Sequence, residues 1–162
     1  MEAFANRQGV RTVWSVRVAR WEHEGTGLVI TALVLEENAP SSRKLRGVKI
    51  DLSNGNAKDQ IYLDEQATER TRSALEEIAD AVAQSSIPGG SSGCMGAREF
   101  RPGYDWPWNK YHELNVDLCG DSKSLALVPY GRGKRGSFRF PDKNPTDLDQ
   151  ILASAMEQLK QH

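Results

Sequence analysis

Cysteine, histidine and long apolar runs are all scarce in this chain, and each scarcity removes a class of protein. Only two cysteines occur, Cys94 and Cys119, with neither the short spacings of a zinc site nor the density of a disulfide scaffold. They read as reduced thiols of a cytoplasmic protein; in an oxidising compartment a single Cys94–Cys119 bridge is the alternative. The three histidines are scattered: His23 between two glutamates, His112 before Glu113, and His162 at the last position. None has the i, i+4 helical pairing of a metal site, so no metal and no cofactor is expected. The longest apolar run, Leu28 to Leu35, contains Thr31 and is far too short to cross a bilayer. Met1-Glu2-Ala3-Phe4-Ala5-Asn6-Arg7 lacks a basic segment followed by an apolar one, so no secretory leader is expected. The formal net charge is −1, which leaves no whole-molecule attraction to a polyanion or an anionic membrane. Any basic surface has to be local.

What is present suits a folded domain. With 162 residues, 38% of them hydrophobic and 27% charged, the chain can bury one core. Between Thr12 and Trp21, Trp14, Val16 and Val18 alternate with Ser15 and Arg17, the period of a half-buried strand. Glu22 to Gly27 is a turn, with Gly25 and Gly27 expected at positive φ. Leu28–Leu35 is a β-rich run expected as a central strand covered on both faces. Residues 36–46 read as an exposed loop. Val48, Ile50 and Leu52 then alternate again, Asn54-Gly55 signals a hairpin, and Ile61 to Leu63 returns. Asp64 is placed to cap a helix over roughly 65–84, whose stripe is Ala67, Thr71, Ala74, Leu75, Ile78, Ala81 and Val82.

Residues 85–97 form a Ser/Gly-rich connector between an N-terminal half, about 11–84, and a C-terminal half, about 98–162. Leu114-Asn115-Val116-Asp117-Leu118 repeats the phase of Val48-Lys49-Ile50-Asp51-Leu52, and Leu125 to Val128 returns as Ile61 to Leu63 does. A further strand, Ser137 to Phe140, precedes a helix capped by Asn144, with Pro145 at its first position and Leu148, Ile151, Leu152, Ala155 and Leu159 as its stripe. These elements predict an α+β domain: a mostly antiparallel sheet of about six to eight strands, built from two strand-strand-helix halves, with both amphipathic helices on one face.

No catalytic constellation stands out. Asp117 near Cys119 raises a thiol pKa and so disfavours a thiolate nucleophile. Asp51 and Asp117 match in phase and could form a carboxylate pair, although strand aspartates are ordinarily just solvated. The Gly131-Arg132-Gly133-Lys134-Arg135-Gly136 segment joins two strands and lacks the Lys-Ser/Thr pair of a phosphate loop.

The sharp feature is aromatic and basic. Phe100, Tyr104, Trp106, Trp108 and Tyr111 crowd a segment, 98–112, that Pro102 and Pro107 keep from being helical. Arg132, Lys134, Arg135 and Arg139 follow in the same half, and between Arg98 and Arg139 eight basic residues face five acidic ones. Such rings beside cations serve either protein–protein contact or stacking of single-stranded nucleic acid. The bland alternative is that Trp106 and Trp108 close an open end of the sheet. The repeated strand-and-helix halves resemble in architecture the Whirly and PUR group of single-strand binders, a resemblance that implies nucleic acid as a partner. The expectation is a non-enzymatic binding module that meets a partner protein or a second copy of itself through Tyr104, Trp106, Trp108, Tyr111, Arg132, Lys134, Arg135 and Arg139. Single-stranded nucleic acid is the alternative, followed by a small-molecule pocket roofed by the tryptophans or an uncharacterised hydrolase.

Overall fold

The computed structural model describes residues 10–38, 40, 42–55, 57–83, 94–100, 113–119, 124–130 and 138–162; at 10, 78, 81–83, 94–100, 113–119, 124 and 128–130 the backbone alone is described. Four strands, β1 (Val10–His23), β2 (Thr26–Glu37), β3 (Lys44–Asn54) and β4 (Ala57–Asp64), lead into helix α1 (Glu65–Ala83). Four more, β5 (Cys94–Phe100), β6 (Glu113–Cys119), β7 (Ser124–Tyr130) and β8 (Phe138–Phe140), lead into α2 (Pro145–Lys160). The class is α+β, as the sequence predicts. The described strands fall into two antiparallel sheets of four, ordered β1-β2-β3-β4 and β5-β6-β7-β8, where the pattern suggests one larger sheet. Each half is therefore four strands and a helix.

Local chemistry explains the elements. The β1–β2 hairpin turns on Glu24 and Gly25 alone, with φ of 47° and 86°. Positive φ at both central residues is the primed turn that matches strand twist. Gly27, expected in the turn, lies inside β2 instead, where an added Cβ would meet Ser53 Oγ at 3.0 Å. The supposed loop at 36–46 is also shorter, since β2 runs to Glu37 and β3 starts at Lys44. Its charged residues pair across the strand ends: Glu37 N–H donates to the Arg43 carbonyl at 2.8 Å, and the Arg43 guanidinium donates to Glu37 Oε1 at 2.7 Å.

Both helices begin as their sequences indicate. Asp64 Oδ1 accepts from the Ala67 N–H at 2.7 Å, a cap worth about 1 kcal/mol. Thr68 and Thr71 lie on the buried face of α1, both 0% exposed, and their hydroxyls donate to the carbonyls of Asp64 and Ala67 at 2.8 Å. Two polar groups are thus taken inside without losing a hydrogen bond. At α2, Asn144 Oδ1 accepts from Asp147 N–H at 3.0 Å and Asp147 Oδ2 accepts from Asn144 N–H at 2.9 Å. This reciprocal box satisfies two donors that the first turn leaves free.

One buried cluster joins both sheets and both helices. It takes Trp21, Leu28, Ile30, Val48, Ile50 and Ile61 from the first sheet, Leu125, Leu127, Phe138 and Phe140 from the second, and Leu75, Leu148, Leu152, Ala155 and Leu159 from the helices. Trp21 and Phe140 meet edge to face, their centroids 5.4 Å apart. A smaller cluster, Leu33, Leu35, Leu45 and Tyr62, lies on the opposite face of the first sheet. β2 is accordingly buried on both faces from Ala32 to Leu35, as its near-continuous apolar run indicates, while Val29 and Thr31 are half-buried. The helices also bond to each other through Arg72 Nε and Asp149 Oδ1 at 2.8 Å. That contact with Asp149 holds the Arg72 pKa above its usual value against the opposing effect of burial.

Candidate functional site

Of the residues that the sequence nominates, Tyr104, Trp106, Trp108, Tyr111, Arg132, Lys134 and Arg135 lie outside the described residues, as do His112 and the segment 101–112. Arg139 is described. It sits in β8, opposite Ala126 of β7, with its side chain exposed between the buried Phe138 and Phe140. The aromatic segment has a partner element that its composition hides: Arg98 to Phe100, together with the end of the Ser/Gly-rich connector, form β5, laddered onto β6. Asp51 and Asp117, in phase along the sequence, belong to different sheets, and Asp51 pairs with Lys49 at 3.2 Å.

The described structure presents another candidate surface, on β1. This strand is one edge of the first sheet, and among the described residues it pairs with β2 only. Strict alternation from Trp14 would turn Arg20 toward the core. Register shifts between Thr12 and Trp14 and between Arg17 and Ala19 prevent this. The second shift leaves Val18 as an extra residue, so Ala19 and Trp21 face the buried Ile30 and Leu28 while Arg20 lies opposite Val29 on the other face. A bulge of this kind also twists an edge and blunts it against pairing with a foreign strand.

β1 carries both exposed large hydrophobics of the described residues, Val13 at 39% and Val16 at 36%. Half-buried Trp14 and Val18 lie between and beside them, packed on the core cluster from its margin. The Trp14 ring stacks on His162 at 3.9 Å, and Arg46 donates to the His162 carbonyl at 2.6 Å, which ties the chain end following α2 to this margin. From Val13 to Val18 the strand covers about 17 Å.

β1 also carries arginines, Arg17 and Arg20 on its outer face opposite Thr31 and Val29, and they differ in their electrostatic state. Arg11 is paired with Glu36 at 2.7 Å and Arg20 with Glu22 at 3.3 Å. Arg17, exposed beside Val16, has no ion pair among the described residues. The far end of the hairpin is more polar: His23 lies 3.8 Å from Glu24 and 4.0 Å from Asp142, and Lys143 Nζ sits 5.4 Å from the Trp21 ring centroid. Among the described residues, no group of three or more His, Cys, Asp or Glu is arranged to hold a metal, and no helix is long and apolar enough to cross a membrane. The alternation places Trp14 and Val16 on the core face, and the register agrees, setting them opposite the buried Val34 and Ala32. Alternation does not reveal that β1 is a sheet edge, where Val16 stays exposed, or that Val13 and Val18 fall at register shifts, since both depend on the pairing with β2.

No protein-family model matches the chain, and a search of curated proteins finds no match.

Proposed function

We propose that this chain is a non-enzymatic binding module that associates by side-chain contact with another protein, in the first instance a second copy of itself. The observation that carries the reading is the β1 strip: two exposed valines and two half-buried apolar residues, on an arginine-bearing strand with only one described neighbour. An apolar centre with an arginine-rich rim is the usual composition of a protein contact. The bulges argue that the contact is made by side chains, since they interrupt the backbone ladder that a foreign strand would extend. The aromatic-basic residues Tyr104, Trp106, Trp108, Tyr111, Arg132, Lys134, Arg135 and Arg139 form the second part of this proposal, contributed by the C-terminal half.

Light scattering across a concentration series, coupled to size exclusion, tests the reading. Wild type should populate a dimer. Val13→Asp should weaken association roughly tenfold or more, about 1.4 kcal/mol, with the fold retained by far-UV circular dichroism because Val13 belongs to neither buried cluster. A chain that stays monomeric at the highest concentration would remove self-association.

Single-stranded nucleic acid is the second reading, and the doubled order of four strands and a helix favours it by analogy with the Whirly and PUR group. Arg17, Arg20 and Lys49 on the outer face of the first sheet add cations, partly offset by Glu22 and Asp51. Labelled oligonucleotides titrated at low and at moderate salt decide it, since phosphate contacts weaken as salt rises. Absence of binding at low salt ends that reading.

A further inference from the structure

The strand pairing of the second sheet brings together the only two cysteines of the chain. Cys94 opens β5 and Cys119 closes β6, and the antiparallel register sets them directly opposite each other. Directly opposed antiparallel residues share a face of the sheet, with Cα atoms about 4.5 or 5.5 Å apart depending on the hydrogen-bonding position. A disulfide requires a Cα separation of about 4.4–6.8 Å, so the backbone already stands within bridging range. We infer that Cys94 and Cys119 are a cross-strand dithiol–disulfide couple, a covalent modification site that locks β5 onto β6 when it is oxidised.

Topology says what the bond would do. Among the described residues β5 is an edge strand laddered to β6 alone, and the ladder is broken by a register shift between Met95 and Arg98. Beyond that shift, only Cys94 and Met95 hold this end of the strand in register. A cystine here fastens a short, separately registered end of the second sheet at the point where the chain arrives from the connector. β5 also approaches α1, so fastening it holds that strand beside the helix. Reduction releases the strand end without breaking the remainder of the ladder.

The oxidant is a low-molecular-weight disulfide such as oxidised glutathione. One cysteine thiolate attacks it, forming a mixed disulfide and releasing a glutathione thiolate. The second cysteine thiolate then displaces the remaining glutathione and forms the protein S–S bond. In total two protein thiols give up two protons and two electrons, and the glutathione disulfide is reduced to two thiols.

The full-length native chain is equilibrated in buffers of graded oxidised-to-reduced glutathione, quenched with an alkylating agent and analysed by intact mass. Reduced protein should take two alkyl groups and oxidised protein none, with the mass of two hydrogens lost and no glutathione retained. Trypsin should then release the peptide 73–98 joined to 111–123, and native hydrogen exchange should slow at β5 amides in the oxidised form. Cys94→Ser should stop at a glutathione adduct or an intermolecular dimer. Retained glutathione adducts, covalent dimers as the main wild-type product, or two alkylatable thiols under every buffer would each overturn the inference. Circular dichroism of the reduced and oxidised forms confirms that the couple is measured in the folded chain; an internal bridge that appears only with loss of native structure would also overturn it.

Discussion

Leu152 lies in the middle of α2, 0% exposed, in the cluster that contains Leu28, Ile30 and Ile50 of the first sheet and Phe138 and Phe140 of the second. Truncating it to alanine removes buried carbon from a site walled by elements of both halves. Such a site has little freedom to collapse, so the loss should fall in the range of about 2–5 kcal/mol seen for buried Leu→Ala changes. In a chain of this length each kcal/mol lowers the melting temperature by about 2–4 °C, which puts the expected drop at roughly 4–20 °C. Urea unfolding followed by far-UV circular dichroism and by tryptophan fluorescence measures both the size and the unity of the effect. Because one cluster joins the sheets, the two probes should report one coincident transition that moves as a whole. Two separated transitions, only one of them shifted by Leu152→Ala, would refute a shared core, and so would a loss below about 1 kcal/mol. Leu152→Asp and Leu75→Asp, which place an unpaired charge in the same cluster, should yield no folded protein.

Two further predictions rest on single side chains. Burial, and secondarily the charge of Asp51, push the Tyr62 hydroxyl well above its ordinary pKa of 10.0. The folded state therefore keeps Tyr62 protonated at pH values where the unfolded chain ionises it. Its contribution to stability is fully present below pH 10 and declines as pH rises beyond that. The stability difference between wild type and Tyr62→Phe should be flat below pH 10 and turn against wild type above it by up to about 1.4 kcal/mol per pH unit, read from denaturant melts; a flat difference would refute the burial argument. Asn144→Ala removes the side-chain acceptor of the α2 capping box and should cost about 1 kcal/mol in the same melts, whereas Asn144→Gly should cost only a few tenths.

Much of the architecture is legible along the chain because its causes are local. Asp64 and Asn144 announce helix starts through groups three residues away, and the stripes Ala67–Thr71–Leu75 and Leu148–Leu152–Ala155–Leu159 follow from the helical period. Leu28–Leu35 reads as a doubly covered strand because no polar alternation interrupts it. These features need no knowledge of what lies across from them. The candidate site is less legible: the rings and cations of 104–111 and 132–135 are visible as composition and fall outside the described residues, and of the eight nominated residues Arg139 alone is described.

Backbone sterics, capping and hydrophobic period act within a few residues, and so the Asn54-Gly55 hairpin, the two helix starts and the buried alternation Val48–Ile50–Leu52 are written along the chain. Long-range pairing settles the rest: that the described strands divide into two sheets, that residues 94–100 are a strand, that Gly27 belongs to β2, that bulges turn Trp21 inward in place of Arg20, and that Cys94 stands opposite Cys119. Strand pairing joins residues distant in the chain, and a register change of one residue reverses which face a side chain occupies. No local pattern carries that information.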